Sequence, residues 1–341
     1  MERKAWIIVN RRARGLTSEG PLLAEQCRAR ATVTTIETRS LAELADGGGA
    51  RRGRPAPIVL GGGDSDSARA GVTALARAFG GAPLPPVALA PGGTVNTVAR
   101  GWGMRGDPVA YTRRLVDAVV AGTAASTRRS TLHVQVTPAE RLSHVSTQGT
   151  REERDGHSAP GAAGEERVCF IVGAGLVSRF FEVYEARGAD GIVTAAGIVA
   201  RVFVGSFVGG GLARRVLEPA PCALDVDGEA APFDRVSLLC ASVVADVGLG
   251  LRLLYRADEA GAPLERRFHV VATPLGPRAL GPQMFRVLAG KPLRGPRVDM
   301  LARSISLRFP SGEGAIVLDG DLVRSDELTI APGPRLDVLD S

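Results

Sequence analysis

Short apolar runs alternating with helical spacing fill the first third of the chain. Residues 5–9 (AWIIV), 32–36 and 58–60 read as buried strands, with a helical stretch at 21–30 and a short helix beginning at 41–44. The strand at 58–60 runs directly into GGGDSDS, and beyond it Ala68, Val72, Leu75, Ala76 and Phe79 recur at helical spacing. The unit then repeats: a strand at 87–90, the turn PGGTVN, a helix starting at 95–100, and a further helix over 108–120. Alternation of this kind predicts βαβ layering, here a Rossmann-like α/β unit over residues 1–127.

The texture changes after residue 127. Period-2 alternation dominates at 132–136, 168–172, 236–244, 269–272 and 305–309, which predicts a mostly antiparallel, β-sandwich-like domain over 128–330. The class expected is therefore α/β plus β, with the tail at about 331–341 returning to the first unit. Residues 148–167 (QGTREERDGHSAPGAAGEER) are polar and rich in Gly and Ala, and read as a flexible surface excursion.

Composition narrows the partners. Hydrophobic residues at 45% and charged residues at 23% are ordinary for a globular chain. Lys plus Arg exceeds Asp plus Glu by 42 − 36 = 6, which suits phosphate-bearing partners without choosing among them. With only 4% aromatic residues and dispersed arginines, there is no stacking platform for nucleic acid. The four cysteines lack C-x-x-C spacing, which argues against zinc, and Cys169 and Cys240 sit in apolar runs as buried thiols. The apolar run at 5–9 is too short for a signal peptide. The greasiest stretch, 191–209, is interrupted by Arg201 and falls short of the ~20 residues of a bilayer span. A cytoplasmic protein is expected, peripheral at the inner membrane face, with transient membrane-surface contact.

Two consecutive strand–glycine–helix units carry the chemistry. Glycine lets backbone N–H groups approach phosphate oxygens, and the positive end of the following helix favours an anion. Two such loops on one sheet edge form a crevice. Here the sequence resembles the diacylglycerol kinase catalytic family, which includes sphingosine, ceramide and soluble bacterial lipid kinases. The family's first loop, G-G-D-G-T, falls on Gly62, Gly63, Asp64, Ser65 and Asp66. Its second, P-x-G-T-x-N-D-x-A-R, falls on Pro91, Gly92, Gly93, Thr94, Val95, Asn96, Thr97, Val98, Ala99 and Arg100. Asn10 echoes the end of the family's first strand, FIVGAG at 170–175 its later strand and glycine turn, and IVLDGD at 316–321 its D-G-E signature.

The resemblance implies ATP and Mg²⁺ as cofactors and a lipid as acceptor. Gly62, Gly63, Ser65, Gly92, Gly93, Thr94 and Asn96 would hold the nucleotide, with Asn10 closing the site. Asp64 would hold Mg²⁺ through water. Asp321 would be the general base for the lipid hydroxyl, aimed by a turn at Asp319 and Gly320. On spacing alone, Asp319–Gly320 reads more readily as a hairpin turn than as a catalytic element, and Asp64 or Asn96 reads also as a helix cap.

The departures are informative. Ser65 and Asp66 replace the family's glycine and threonine, Thr97 its acid, and Asp321 is one methylene shorter than glutamate. Asp66 brings a carboxylate to the helix end that phosphate would occupy. These changes open a second reading, a catalytically weakened or inactive member that binds lipid or nucleotide in a regulatory role.

Overall fold

The computed structural model describes residues 5–10, 33–38, 58–61, 65–90, 97–104, 106–138, 165–187, 192–261, 266–310 and 314–340. The helical readings at 21–30 and 41–44 lie outside the described residues, as does the stretch 148–164.

The first part of the chain supplies strands β1 (Ala5–Asn10), β2 (Val33–Thr38), β3 (Ile58–Gly61), β4 (Val87–Ala90) and β5 (Ala125–Arg129). With them come helices α1 (Ser65–Phe79), α2 (Thr97–Gly101) and α3 (Pro108–Ala121). Strands β6 (Leu132–Pro138), β7 (Glu165–Cys169) and β8 (Ile171–Gly175) lead into α4 (Leu176–Ala186), α5 (Ile192–Val208) and α6 (Gly211–Leu217). Next are β9 (Ala220–Pro221), β10 (Ala223–Val226), β11 (Glu229–Ala230), β12 (Arg235–Val236), β13 (Leu238–Ser242) and β14 (Phe268–Thr273). Two short helices follow, α7 (Pro277–Leu280) and α8 (Met284–Leu288). The last strands are β15 (Val298–Ala302), β16 (Ile305–Arg308), β17 (Ala315–Leu318), β18 (Asp321–Pro332) and β19 (Leu336–Asp340).

These strands form two main sheets. The first has the order β2-β1-β3-β4-β19-β5 and is parallel from β2 to β19, with β5 antiparallel at its edge. Its helices begin and end where local chemistry directs. Asp107 caps α3 by accepting from the Ala110 N–H at 2.7 Å, Pro108 opens the helix, and Gly122 closes it in a left-handed conformation.

The second sheet is antiparallel and has eleven strands, hydrogen-bonded continuously through β18. The first residues of β18 pair with β17. The rest pair with β16 on one side and β6 on the other, with a register shift at Ser325–Glu327. The antiparallel strands expected after residue 127 are thus joined in one hydrogen-bonded sheet. One buried cluster runs from Val72, Leu89 and Leu115 around the first sheet to Phe170, Phe268 and Leu328 in the second. A second cluster lies under the helices α4–α7 and includes Ile198, Leu217, Cys240 and Leu280.

Two sequence readings are corrected. The polar excursion stops short of 167, because β7 opens at Glu165. Glu166 accepts from Gln135 at 3.0 Å, and its carbonyl accepts from Arg77 of α1 at 2.6 Å. The single strand read at 168–172 is two strands that break at Phe170, for a reason that belongs to the site.

Candidate functional site

Strands β1, β3 and β4 lie side by side and in parallel, so their carboxyl ends stand level. Val9 pairs with Gly61 and Gly61 with Ala90. Asn10 ends β1, and the chain leaves β3 and β4 toward its two glycine-rich segments from this same edge. The order β2-β1-β3 reverses direction at β1, and open parallel sheets take ligands at the carboxyl ends beside such a reversal. Gly62, Gly63, Asp64, Gly92, Gly93, Thr94 and Asn96 lie outside the described residues. Of Asn10 and Ser65 the backbone alone is described: Asn10 is the last residue of β1 and Ser65 the first of α1.

Asp321 comes to this neighbourhood from the second sheet. Leu318 pairs with Asp321, so Asp319 and Gly320 make a two-residue hairpin between β17 and β18. Both have positive φ, 53° and 114°, the geometry that Asp-Gly favours. The hairpin that the spacing allowed is therefore present, and it fixes where β18 begins. The turn presents Asp321 to Arg69, the fifth residue of α1, and the two side chains form an ion pair. The Arg69 side chain is 7% exposed and that of Asp321 42%. An acid from the last part of the chain is thus held against the helix that opens just after the first glycine segment.

Arg69 belongs to a polar stripe on α1. Four residues on, the Thr73 hydroxyl accepts from the Val168 N–H at 3.0 Å and donates to its carbonyl at 3.3 Å. Four further on stands Arg77. Residues at i, i+4 and i+8 share a helix face, and this one satisfies the outer edge of β7 as another strand would. The opposite side of α1 buries Val72 and Leu75 in the core.

The hairpin is anchored from below. The Asp319 carboxylate is buried and accepts from the Ile171 N–H at 2.7 Å and the Phe170 N–H at 3.1 Å, while its own N–H donates to the Ile171 carbonyl. These bonds take the Phe170 and Ile171 amides out of strand pairing, which is why β7 and β8 separate there. Burial pushes the Asp319 carboxyl up to about 7, against the lowering effect of Arg69 and of the backbone N–H groups. Phe170 meets Trp102, which follows α2, edge-to-face at 5.2 Å. Contacts therefore run from the helix after the second glycine segment, through Phe170 and Asp319, to Asp321 and the helix after the first.

The glycines of FIVGAG have separate reasons. Gly173 lies under Val177 of α4, where an added β-carbon would come within 2.5 Å of the valine side chain. Gly175 has φ 68° and packs against the Ser237 carbonyl, which excludes a side chain on both counts. Arg100 is exposed at the end of α2. Cys169 and Cys240 are buried free thiols, as expected. Burial raises both thiols, Cys240 to about 12, which suits packing rather than reactivity.

Arg69 is the residue that pattern reading missed. The helical periodicity of α1 was carried by its apolar positions, and one buried arginine has no mark among so many arginines. Its spacing from Thr73 and Arg77 was the available signal.

No protein-family profile and no curated protein matches the chain. Among solved structures, the crystal structure of a diacylglycerol kinase from Bacillus anthracis aligns over 100% of this chain and 98% of its own, with TM-score 0.60 and 14% identity. Two more from that organism, provisionally described as diacylglycerol kinases, align over 98% and 99% of this chain and 96% and 97% of their own. Their TM-scores are 0.57 and 0.58, each at 14% identity. At this identity the likeness is one of fold, and along its length the chain has the fold of the diacylglycerol kinases, the family its motifs resemble.

Proposed function

We propose that the chain is an ATP-dependent lipid kinase that transfers the γ-phosphate to a hydroxyl of a diacylglycerol-like or sphingoid lipid. The observation that carries this reading is the seating of Asp321 against α1, beside the sheet edge from which both glycine-rich segments depart. In this reading the parallel sheet with its helices is a Rossmann-like nucleotide unit and the antiparallel sheet the lipid unit. Gly62, Gly63, Ser65, Gly92, Gly93, Thr94 and Asn96 would cradle the triphosphate, with Asn10 at the rim.

Mg²⁺ would travel with the nucleotide and be held by Asp64, since it keeps most of its waters. Among the described residues no three His, Cys, Asp or Glu side chains cluster, and Asp319 and Asp321 are already engaged. When bound, the ion would neutralise phosphate charge. The chain's own part is positional: the Asp319–Gly320 turn sets the direction of Asp321, whose carboxylate would take the proton of the attacking hydroxyl.

One observation favours a second reading, a weakened member with a regulatory binding role. Arg69 occupies one oxygen of the proposed base, and that base is an aspartate. Incubation with labelled ATP, Mg²⁺ and mixed lipids separates the two. A phosphatidate-like product supports the kinase. Thermal stabilisation by ATP without transfer supports the regulatory role, and no response to nucleotide sinks the kinase and leaves only a lipid-binding role.

A further inference from the structure

Helix α5 presents a physical contradiction. Its seventeen residues contain one charge, Arg201, and a helix apolar on all sides belongs in an interior. Here one side is interior: Ile198, Val202 and Ser206, at i, i+4 and i+8, are buried. The other side faces outward, with Val193 83% exposed, Val204 60%, Phe207 53% and Val208 77%. Phe285 and Leu288 of α8 extend the surface, since Phe203 touches both Phe207 and Phe285 edge-to-face at 5.1 and 5.3 Å. Six of the seven exposed large hydrophobic side chains among the described residues lie on these two helices, Met300 being the seventh. Scattered apolar residues need no explanation, but such concentration does.

The rim decides what covers the surface. Residues 192–217 and 277–297 contain Arg201, Arg214, Arg215, Arg278, Arg286, Lys291, Arg294 and Arg297, and no Asp or Glu. Among these, only Arg297 pairs with a carboxylate of the described residues, Asp299. The guanidinium groups of Arg214 and Arg278 both come within 3.9 Å of where a β-carbon on Gly209 would stand, at the exposed tip of α5. Elsewhere on the chain, arginines do find carboxylates, as at Asp321, Asp337 and Glu182. An apolar centre with an all-cationic margin complements an anionic lipid surface.

We propose that the outer face of α5 and α8, with its arginine margin, docks flat on an anionic bilayer. It does not cross one. Among the described residues no single helix is long and apolar enough; α5 and α6 reach the length only as a pair bent by 103°, and the inner side of α5 is fixed in the core. The surface stands independently of the kinase reading, and its test uses neither nucleotide nor turnover.

The experiment is co-sedimentation of the full chain with vesicles of phosphatidylcholine, alone or mixed with phosphatidylglycerol. The expected result is binding roughly tenfold stronger to the anionic mixture, weakened by raised salt. Val204→Ser with Val208→Ser, 60% and 77% exposed, should lower it roughly tenfold with little change in melting temperature. Val193→Glu, at a position with little contact to lose, should also lower it. Equal binding by parent and variants, or no preference for anionic vesicles, overturns the proposal. So does self-association that the same variants abolish while vesicle binding stays, because the face would then cover a second protein.

Discussion

Replacing Arg69 with methionine and Asp321 with asparagine, singly and together, isolates the contact on which the proposed site depends. Two unit charges at ~4 Å attract by roughly 4 kcal/mol at an effective dielectric of ~20. The partners are unequally buried, at 7% and 42% exposure, so the pair lies between two known regimes. Exposed pairs couple by about 0.2–1 kcal/mol, and breaking a buried one costs about 3–5 kcal/mol. A coupling of about 2 kcal/mol follows. The singles should differ. Asp321→Asn leaves a guanidinium in the interior facing a neutral amide and costs about 2–3 kcal/mol. Arg69→Met removes the buried charge and returns Asp321 to water, so it costs less, and the double variant resembles it. Urea midpoints at unchanged slope measure all four proteins. Single effects that add within about 0.5 kcal/mol would show the charges to be independent and refute the reasoning.

Further predictions follow from the same region. Asp319 is raised to about 7 by burial, so the folded state binds its proton more tightly than the unfolded state does. Its contribution to stability is full below the ordinary carboxylate range and is lost as pH rises toward 7. Asp319→Asn should therefore gain stability relative to the parent between about pH 4 and 7, by at most on the order of 4 kcal/mol. Parallel melting curves check it, and a constant difference would contradict it. Thr73→Val removes the hydroxyl that serves both the N–H and the carbonyl of Val168, at a cost of about 1–3 kcal/mol in chemical denaturation. Asp66 lies in the first turn of α1, and Asp66→Thr should raise nucleotide affinity at least about tenfold in calorimetry by removing like-charge repulsion. No change would count against a phosphate at that helix end.

Much of the fold was legible because its signals are local. The run at 87–90 is bounded by prolines and glycines and became β4 at those limits. Helix α3 carries its own start and stop in Asp107, Pro108 and Gly122. What escaped depends on residues distant in sequence. Phe170 looks like mid-strand until Asp319 captures its amide, and Glu165 and Glu166 look like loop until they pair with Val136 and Gln135 of β6. The hairpin at Asp319–Gly320 was readable, but its partner Arg69 was not. A buried arginine is recognised by the carboxylate it meets, and nothing in α1 announces one. Likewise the apolar stretch at 191–209 is readable as too short for a bilayer span, while which of its sides faces outward is decided by what packs on α5 and what does not.

The place of β19 has a consequence for synthesis. It lies between β4 and β5, yet it is made only after the whole antiparallel sheet. Until then β4, a strand whose Val87, Ala88 and Leu89 end up shielded from water, has a bare hydrogen-bonding flank. A nascent or truncated chain lacking residues 336–340 would therefore offer that flank to other chains, and a ribosome-bound intermediate would be exposed to aggregation for most of its elongation.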